Sequence, residues 1–300
     1  MRIGTFVPLD LASSRHELCH KVRVIIMASI NRSQDVLDQL SQGISTLATS
    51  DEWQAYLKMQ ARFHNYSYAN VLLIMKQYPD ATQVAGYGTW KSLGRHVKKG
   101  EKAIAIMAPI LYKAPNEATE TLETENKYRL CGFKIVNVFD VSQTEGKSLT
   151  DPCQKLNGGN CHSLYHRLCE FANSLGFHVF QKEMGPELNG NCSHTKKRIN
   201  INKSNSSTQQ IKTLIHEIAH AVMHENFDDR ALGELEAESV AYVTCESLGI
   251  DSSDYSFGYI LSWAGNSANA ELLIRQSCSR IQKTSSMIIA ALSESKDAAA

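Results

Sequence analysis

The 300-residue chain carries 31 Lys and Arg against 31 Asp and Glu, a formal net charge of zero. Any contact with a polyanion therefore has to be local to one patch. No apolar run approaches the roughly 20 residues needed to cross a bilayer, so no membrane role is expected. Eight cysteines without a C-x-x-C pair, and no secretory signal, point to free thiols in a reducing cytoplasm.

The length suggests about two domains. Residues 1–30 read as an N-terminal extension outside the packed fold. Their charges, Arg15, Lys21 and Arg23, precede a very short apolar run, and Met27 offers an alternative translation start. Residues 31–140 read as a first α+β domain. Ser33 to Thr49 has an apolar face of Val36, Leu37, Leu40, Ile44 and Leu47, and a second helix carries Trp53, Leu57 and Phe63. A third runs from about Tyr68 to Gln77 and stops before Pro79. Thr82 to Ala85 reads as a strand and Thr89 to Leu93 as a short helix. Ala103 to Leu111 and Tyr128 to Phe139 read as an antiparallel pair around an acidic, Thr-rich loop.

Residues 141–159, polar with Pro152 and Gly158-Gly159, read as a linker. Residues 160–292 form the second domain, helix then strands then helices, and 293–300 a tail. Cys161, His162, His166 and Cys169 share one helix. Leu164, Leu168 and Phe171 already define its core face, so an amphipathic helix is expected there in preference to a metal site.

The densest chemical signal is His216-Glu217-Ile218-Ala219-His220. On a helix, positions i and i+4 lie one turn apart on one face, so both imidazoles can reach a single ion. Zinc suits neutral imidazole, and Glu217 stands beside the first ligand as a base for a water: the H-E-x-x-H arrangement of metallopeptidases. Ile211, Leu214, Ile215 and Ile218 form an apolar stripe on a helix starting near Thr208, which places the motif mid-helix.

A catalytic zinc usually takes a third protein ligand. Three carboxylates on the next helix compete. Glu234 and Glu238 are four apart on one face. Glu236 points roughly the other way and is expected only to complement the helix dipole. Glu234 is expected as the ligand, with Glu238 accepting the outer N–H of a ligand histidine. His224, Tyr242, Tyr255 and Tyr259 are oxyanion candidates by sequence proximity alone; His224 is expected at the site mouth or on the surface. Lys197 to Asn202 alternates like an edge strand to which a peptide could be added.

In the first domain, Trp90 to Lys102 gathers cations beside Tyr87 and Trp90. Aromatics among cations suit single strands, whereas a solvated turn with a core Trp is the plainer reading. Tyr66-Ser67-Tyr68-Ala69-Asn70, Gln83 to Tyr87 with Thr89-Trp90, and Leu93-Gly94-Arg95 with Val97 to Lys102 together resemble the N-terminal domain of ArdC-type antirestriction proteins. The second half, through His216-Glu217-x-x-His220 and Glu234-x-x-Ala237-Glu238, resembles the accompanying zincin-like peptidase domain of the ImmA/IrrE group.

That resemblance implies an α+β fold of two domains, a single-stranded-DNA-binding module and a zincin-like metallopeptidase. It also implies a mobile-element protein that shields incoming DNA from restriction, with Zn2+ as cofactor and an unidentified protein substrate. It puts Glu234 in the third-ligand position and makes Tyr66, Tyr68, Asn70, Trp90, Arg95, Lys98, Lys99 and Lys102 the DNA-binding candidates. The alternative is a DNA-coating protein whose metal is purely structural.

Overall fold

In a computed structural model of the chain, the residues described are 32, 34–47, 50–113, 128–149, 161–252 and 270–293. The N-terminal extension, the acidic loop, Tyr255, Tyr259 and the C-terminal tail lie outside them.

The first half opens with α1 (34–46), α2 (Ser50–Arg62) and α3 (Tyr68–Gln77). Val36, Leu40, Ile44 and Leu47 are buried, as their spacing requires. Ser67 caps α3 by accepting from the Asn70 N–H. Then follow β1 (Val84–Gly86), α4 (Tyr87–Ser92), β2 (Arg95–Val97), β3 (Ile104–Lys113) and β4 (Tyr128–Asp140). Strands β1 and β3 flank β4, both antiparallel to it.

Residues 141–146, expected as the start of the linker, fold instead as the end of the first domain. Asp140 and Gln143 form a reciprocal capping box over the 3-10 turn Val141–Gln143. The chain thereby reverses into β5 (Thr144–Gly146), which pairs antiparallel with β2. Burial acts to raise the Asp140 pKa, but hydrogen bonds from Ser142, Thr82 and Gln83 hold it below the ordinary value. Residues 150–160 lie outside the description.

The second half comprises α5 (Cys161–Ser174), β6 (His178–Lys182), β7 (Gly190–Ser193), β8 (Arg198–Asn202), α6 (Ser207–Met223), α7 (Arg230–Leu248) and α8 (Ala270–Ser293). In its sheet β8 lies between β6, parallel to it, and β7, antiparallel. The Lys197–Asn202 segment is thus central, not an edge. Ile199 and Ile201 are buried, and both sides of its backbone are paired, which leaves β7 as the edge beside α6.

The two halves share one apolar core. Helix α2 packs on α7, and α7 on α8. Trp53, fully buried, donates from Nε1 to Ser239 Oγ of α7 at 3.1 Å. Gln282 and Ser286 of α8 both donate to the His64 carbonyl.

Candidate metal centre

Helix α6 is capped by Ser206, which accepts from the Gln209 N–H, and its stripe of Ile211, Leu214, Ile215 and Ile218 is fully buried. Core packing on that side turns His216 and His220 toward an open cleft of about 900 Å³. Helix α7 begins at Asp229, which accepts from the Leu232 N–H, and brings Glu234 to the same cleft.

His216, His220 and Glu234 are the group among the described residues whose spacing could hold a metal ion. The two Nε2 atoms are 3.0 Å apart, and Glu234 Oε2 lies 3.4 Å from His216 Nε2 and 3.6 Å from His220 Nε2. A tetrahedral ion with bonds of about 2.0–2.1 Å requires donor separations of about 3.3 Å. The donor set therefore fits a small divalent cation, with three protein ligands and the cleft side open.

The outer nitrogens are also engaged. His216 Nδ1 is 3.0 Å from Glu238 Oε2, the contact expected of Glu238. His220 Nδ1 is 2.9 Å from His224 Nδ1, and His224 Nε2 is 3.2 Å from Glu236 Oε2. His224 lines the cleft, as one of its two expected placements had it, but it is not a surface residue, and Glu236 does more than complement the helix dipole. The His224 side chain is only 6% exposed, and Glu236 is fully buried, receiving Arg280 through two nitrogens and Ser277 Oγ at 2.6 Å. The helical wheel placed Glu236 correctly away from the ligands. What it lacked was α8, whose Ser277 and Arg280 make that other face polar.

The electrostatics follow from burying several charges together. Burial acts to lower the His216 pKa, yet hydrogen bonds to Glu234 and Glu238 and the charge of Glu217 push it up to about 10. The neighbouring histidines, His216 foremost and then His220, hold Glu234 well below the ordinary carboxylate range. Glu217, 6% exposed, is raised by burial against the opposing pull of the two histidines. A carboxylate raised in this way is a better proton acceptor near neutral pH than an ordinary glutamate.

Strand β7 closes the other wall of the cleft through Gly190, Asn191 and Cys192. A Cβ at Gly190 would stand 2.6 Å from Thr213 Cγ2 and 3.0 Å from Glu217 Oε1, so only glycine lets the edge strand lie this near the active helix. Burial, and then the charge of Glu217, push the Cys192 thiol up to about 12, so it stays protonated at neutral pH. Tyr242 is buried and does not line the cleft.

The nucleic-acid candidates divide differently. Asn70 uses its whole amide on the edge of β3: Nδ2 donates to the Met107 carbonyl at 2.8 Å and Oδ1 accepts from the Met107 N–H at 2.9 Å. Gln77, two turns on, does the same for Ala105. Trp90 is 2% exposed and donates to the Phe139 carbonyl. Arg95 is spent on Thr144 Oγ1 and the carbonyls of Val141, Thr144 and Lys147. Tyr66 donates to the Val84 carbonyl, Tyr68 packs against the core, and Lys98 Nζ donates to the Ser142 carbonyl. Lys99 and Lys102 alone of the eight are exposed with no side-chain hydrogen bond or ion pair among the described residues. Exposed cations and aromatics that sequence reasoning passed over, Arg129, Lys134, Tyr112 and Phe133, lie along the β3–β4 ribbon.

A histidine pair and a glutamate from consecutive helices, with a buried glutamate beside them and an edge strand across the cleft, define a metallopeptidase-like fold of the zincin class. Residues 172–244 match the IrrE N-terminal-like domain, and residues 29–139 match the N-terminal domain of the anti-restriction factor ArdC. The chain thus has the domain order of ArdC-type antirestriction proteins, to which it is similar: an ArdC N-terminal domain followed by an IrrE-like domain.

It is 26% identical to an uncharacterized protein of Bacillus anthracis, over 86% of this chain and 50% of that one. The chain thus spans about half the length of that curated relative. It is also similar in fold to the Mn(II)-bound crystal structure of the antirestriction ArdC protein from the R388 plasmid. That likeness has a TM-score of 0.51 at 20% identity and covers 87% of this chain and 97% of the other. No helix among the described residues is long and apolar enough to cross a membrane.

Proposed function

We propose that the chain is a cytoplasmic, single-stranded-DNA-binding antirestriction protein whose second half is a zinc-dependent peptidase. The observation that carries the peptidase reading is the triangle of His216 Nε2, His220 Nε2 and Glu234 Oε2 beside buried Glu217. His216, His220 and Glu234 would hold the ion, displacing the extra proton that the surrounding carboxylates otherwise keep on His216. A divalent zinc there would acidify a water and polarise a substrate carbonyl.

The remaining steps belong to the chain. Glu217 takes the proton of the attacking water and returns it to the leaving amine, and its raised pKa matches both tasks. Glu238 keeps His216 turned with its Nε2 toward the cleft. An extended peptide would lie along β7, in place of the Lys197–Asn202 strand, because among the described residues β7 is the strand whose outer edge is unpaired at the cleft. DNA binding is supported by the match to the ArdC N-terminal domain and by the exposed cations Lys99 and Lys102. The Mn(II) of the R388-plasmid protein makes manganese the metal to compare with zinc.

The test is Glu217→Gln assayed on a mixed fluorogenic peptide library with metal content measured in parallel. Loss of cleavage of about 10²-fold or more with metal retained supports the base assignment. Undiminished cleavage removes Glu217 from the mechanism.

A further inference from the structure

The zincin motif accounts for two histidines, but a third, His224, caps the C-terminal end of α6 one turn beyond His220. Its ring sits between a metal-ligand candidate and a buried carboxylate. His220 Nδ1 is 2.9 Å away on one side and Glu236 Oε2 3.2 Å on the other. The Phe227 ring, 4.8 Å from that of His224, supports it.

The hydrogen-bond logic admits one arrangement of protons for a neutral His224. Glu236, accepting from Arg280 and Ser277, is an acceptor toward His224 as well. Two nitrogens of Arg280 and the Ser277 hydroxyl all donate to its carboxylate. His224 Nε2 therefore carries its proton, and His224 Nδ1 is a bare acceptor. The facing His220 Nδ1 must then be the donor, which leaves His220 Nε2 as a lone pair pointing at His216 Nε2 and Glu234. That is the tautomer a metal ligand requires.

We infer that His224, Glu236 and Arg280 are positioning residues that fix the tautomer and ring orientation of His220 from behind, as Glu238 does for His216. The chain of contacts runs from α6 through α7 to α8, and Ser277 and Arg280 lie beyond the 172–244 segment that matches the IrrE-like domain. At about 100° per residue, Ser277 and Arg280 face away from Gln282 and Ser286, which hold the His64 carbonyl of the first half. One helix thus braces the metal centre on one face and the N-terminal domain on the other. A carboxylate–histidine–histidine relay also shields the second ligand from solvent exchange at Nδ1, since Glu236 is fully buried and the His224 side chain almost so.

The inference rests on the metal-site reading, and the experiment separates the two. Metal-stripped full-length protein is titrated with Zn2+ against a chromogenic competitor, for wild type, His224→Leu, His224→Gln and Arg280→Gln. His224→Leu should bind zinc about 10- to 100-fold more weakly, the usual cost of losing such an outer partner. His224→Gln, whose amide can accept from His220 and donate to Glu236, should recover most of that affinity.

A purely structural role for His224 would give equal losses in both variants. With 15N-labelled histidine, His220 should show a single Nδ1–H tautomer in wild type and a mixture in His224→Leu. Arg280→Gln alters the far, partly exposed end of the relay, and its amide can still donate to Glu236; it should weaken zinc by a smaller but measurable factor, about 3- to 10-fold. Wild-type zinc affinity in a folded His224→Leu, or in Arg280→Gln should the former not fold, overturns the relay. No zinc binding by wild type overturns the metal site itself.

Discussion

The metal centre and the N-terminal domain carry equally dense strings of functional-looking residues, and the fold uses the two strings in opposite ways. His216, Glu217, His220 and Glu234 all face one cleft, and the apolar residues between them make the core. In the first domain Tyr66, Asn70, Trp90, Arg95 and Lys98 spend their polar atoms on backbone groups of the domain itself. A ligand set must leave lone pairs pointing into open space. A string of Tyr, Asn, Trp and Arg can instead serve the fold, because the edge of a sheet and a tight β2–β5 pair need those donors.

The sharpest way to break that contrast is Trp90→Ala. As a buried residue it should cost about 3–5 kcal/mol of stability. As a DNA contact it would leave the melting curve unchanged and weaken oligonucleotide binding. Asn70→Ala comes next. It leaves the Met107 N–H and carbonyl without their partner on the β3 edge, so a loss of about 1–3 kcal/mol is expected in denaturant titrations. Pro109 follows Ala105 and Met107 at the same alternation along β3 and has no N–H to leave open, so the edge stays closed to strand addition.

The pH response sharpens the other side. In metal-free protein His216 is raised from 6.5 to about 10, so its contribution to stability is complete below pH 6.5 and is lost as pH rises toward 10. Metal binding has to displace that proton, so zinc affinity should climb with pH across the same window, by up to about tenfold per unit. Competition titrations at pH 6, 7 and 8 check it; a flat profile would mean that His216 is not a ligand. The smallest effect belongs to Lys99 and Lys102. Replacing both with Ala should weaken single-stranded oligonucleotide binding and lower the salt slope by about one for each phosphate left without its cation. An unchanged slope moves the DNA interface elsewhere, with the Arg129 and Lys134 ribbon the next surface to probe.

What is legible in the sequence follows from how local each signal is. Helices α2, α3 and α6 and the β3–β4 pair come from periodicity within a single segment. The His216–His220 pair comes from one helical turn, and Glu234 with Glu238 from the next. The roles of Glu236 and His224 escape a sequence reading because their partners, Ser277 and Arg280, lie about 40 residues further on, on a helix that no local pattern ties to them. The Lys197–Asn202 strand reads as an edge because strand order is a tertiary fact, set here by β6 and β7 closing on either side. Asp140 reads as the boundary of a polar linker because a capping box needs Gln143 to fold back on it.

Metal content of the purified full-length protein, determined by elemental analysis for wild type beside His220→Ala, bears most directly on the central claim. One divalent ion per chain in wild type, absent from a folded His220→Ala, is the predicted result. No metal in either protein, or the same amount in both, would contradict a site built from His216, His220 and Glu234.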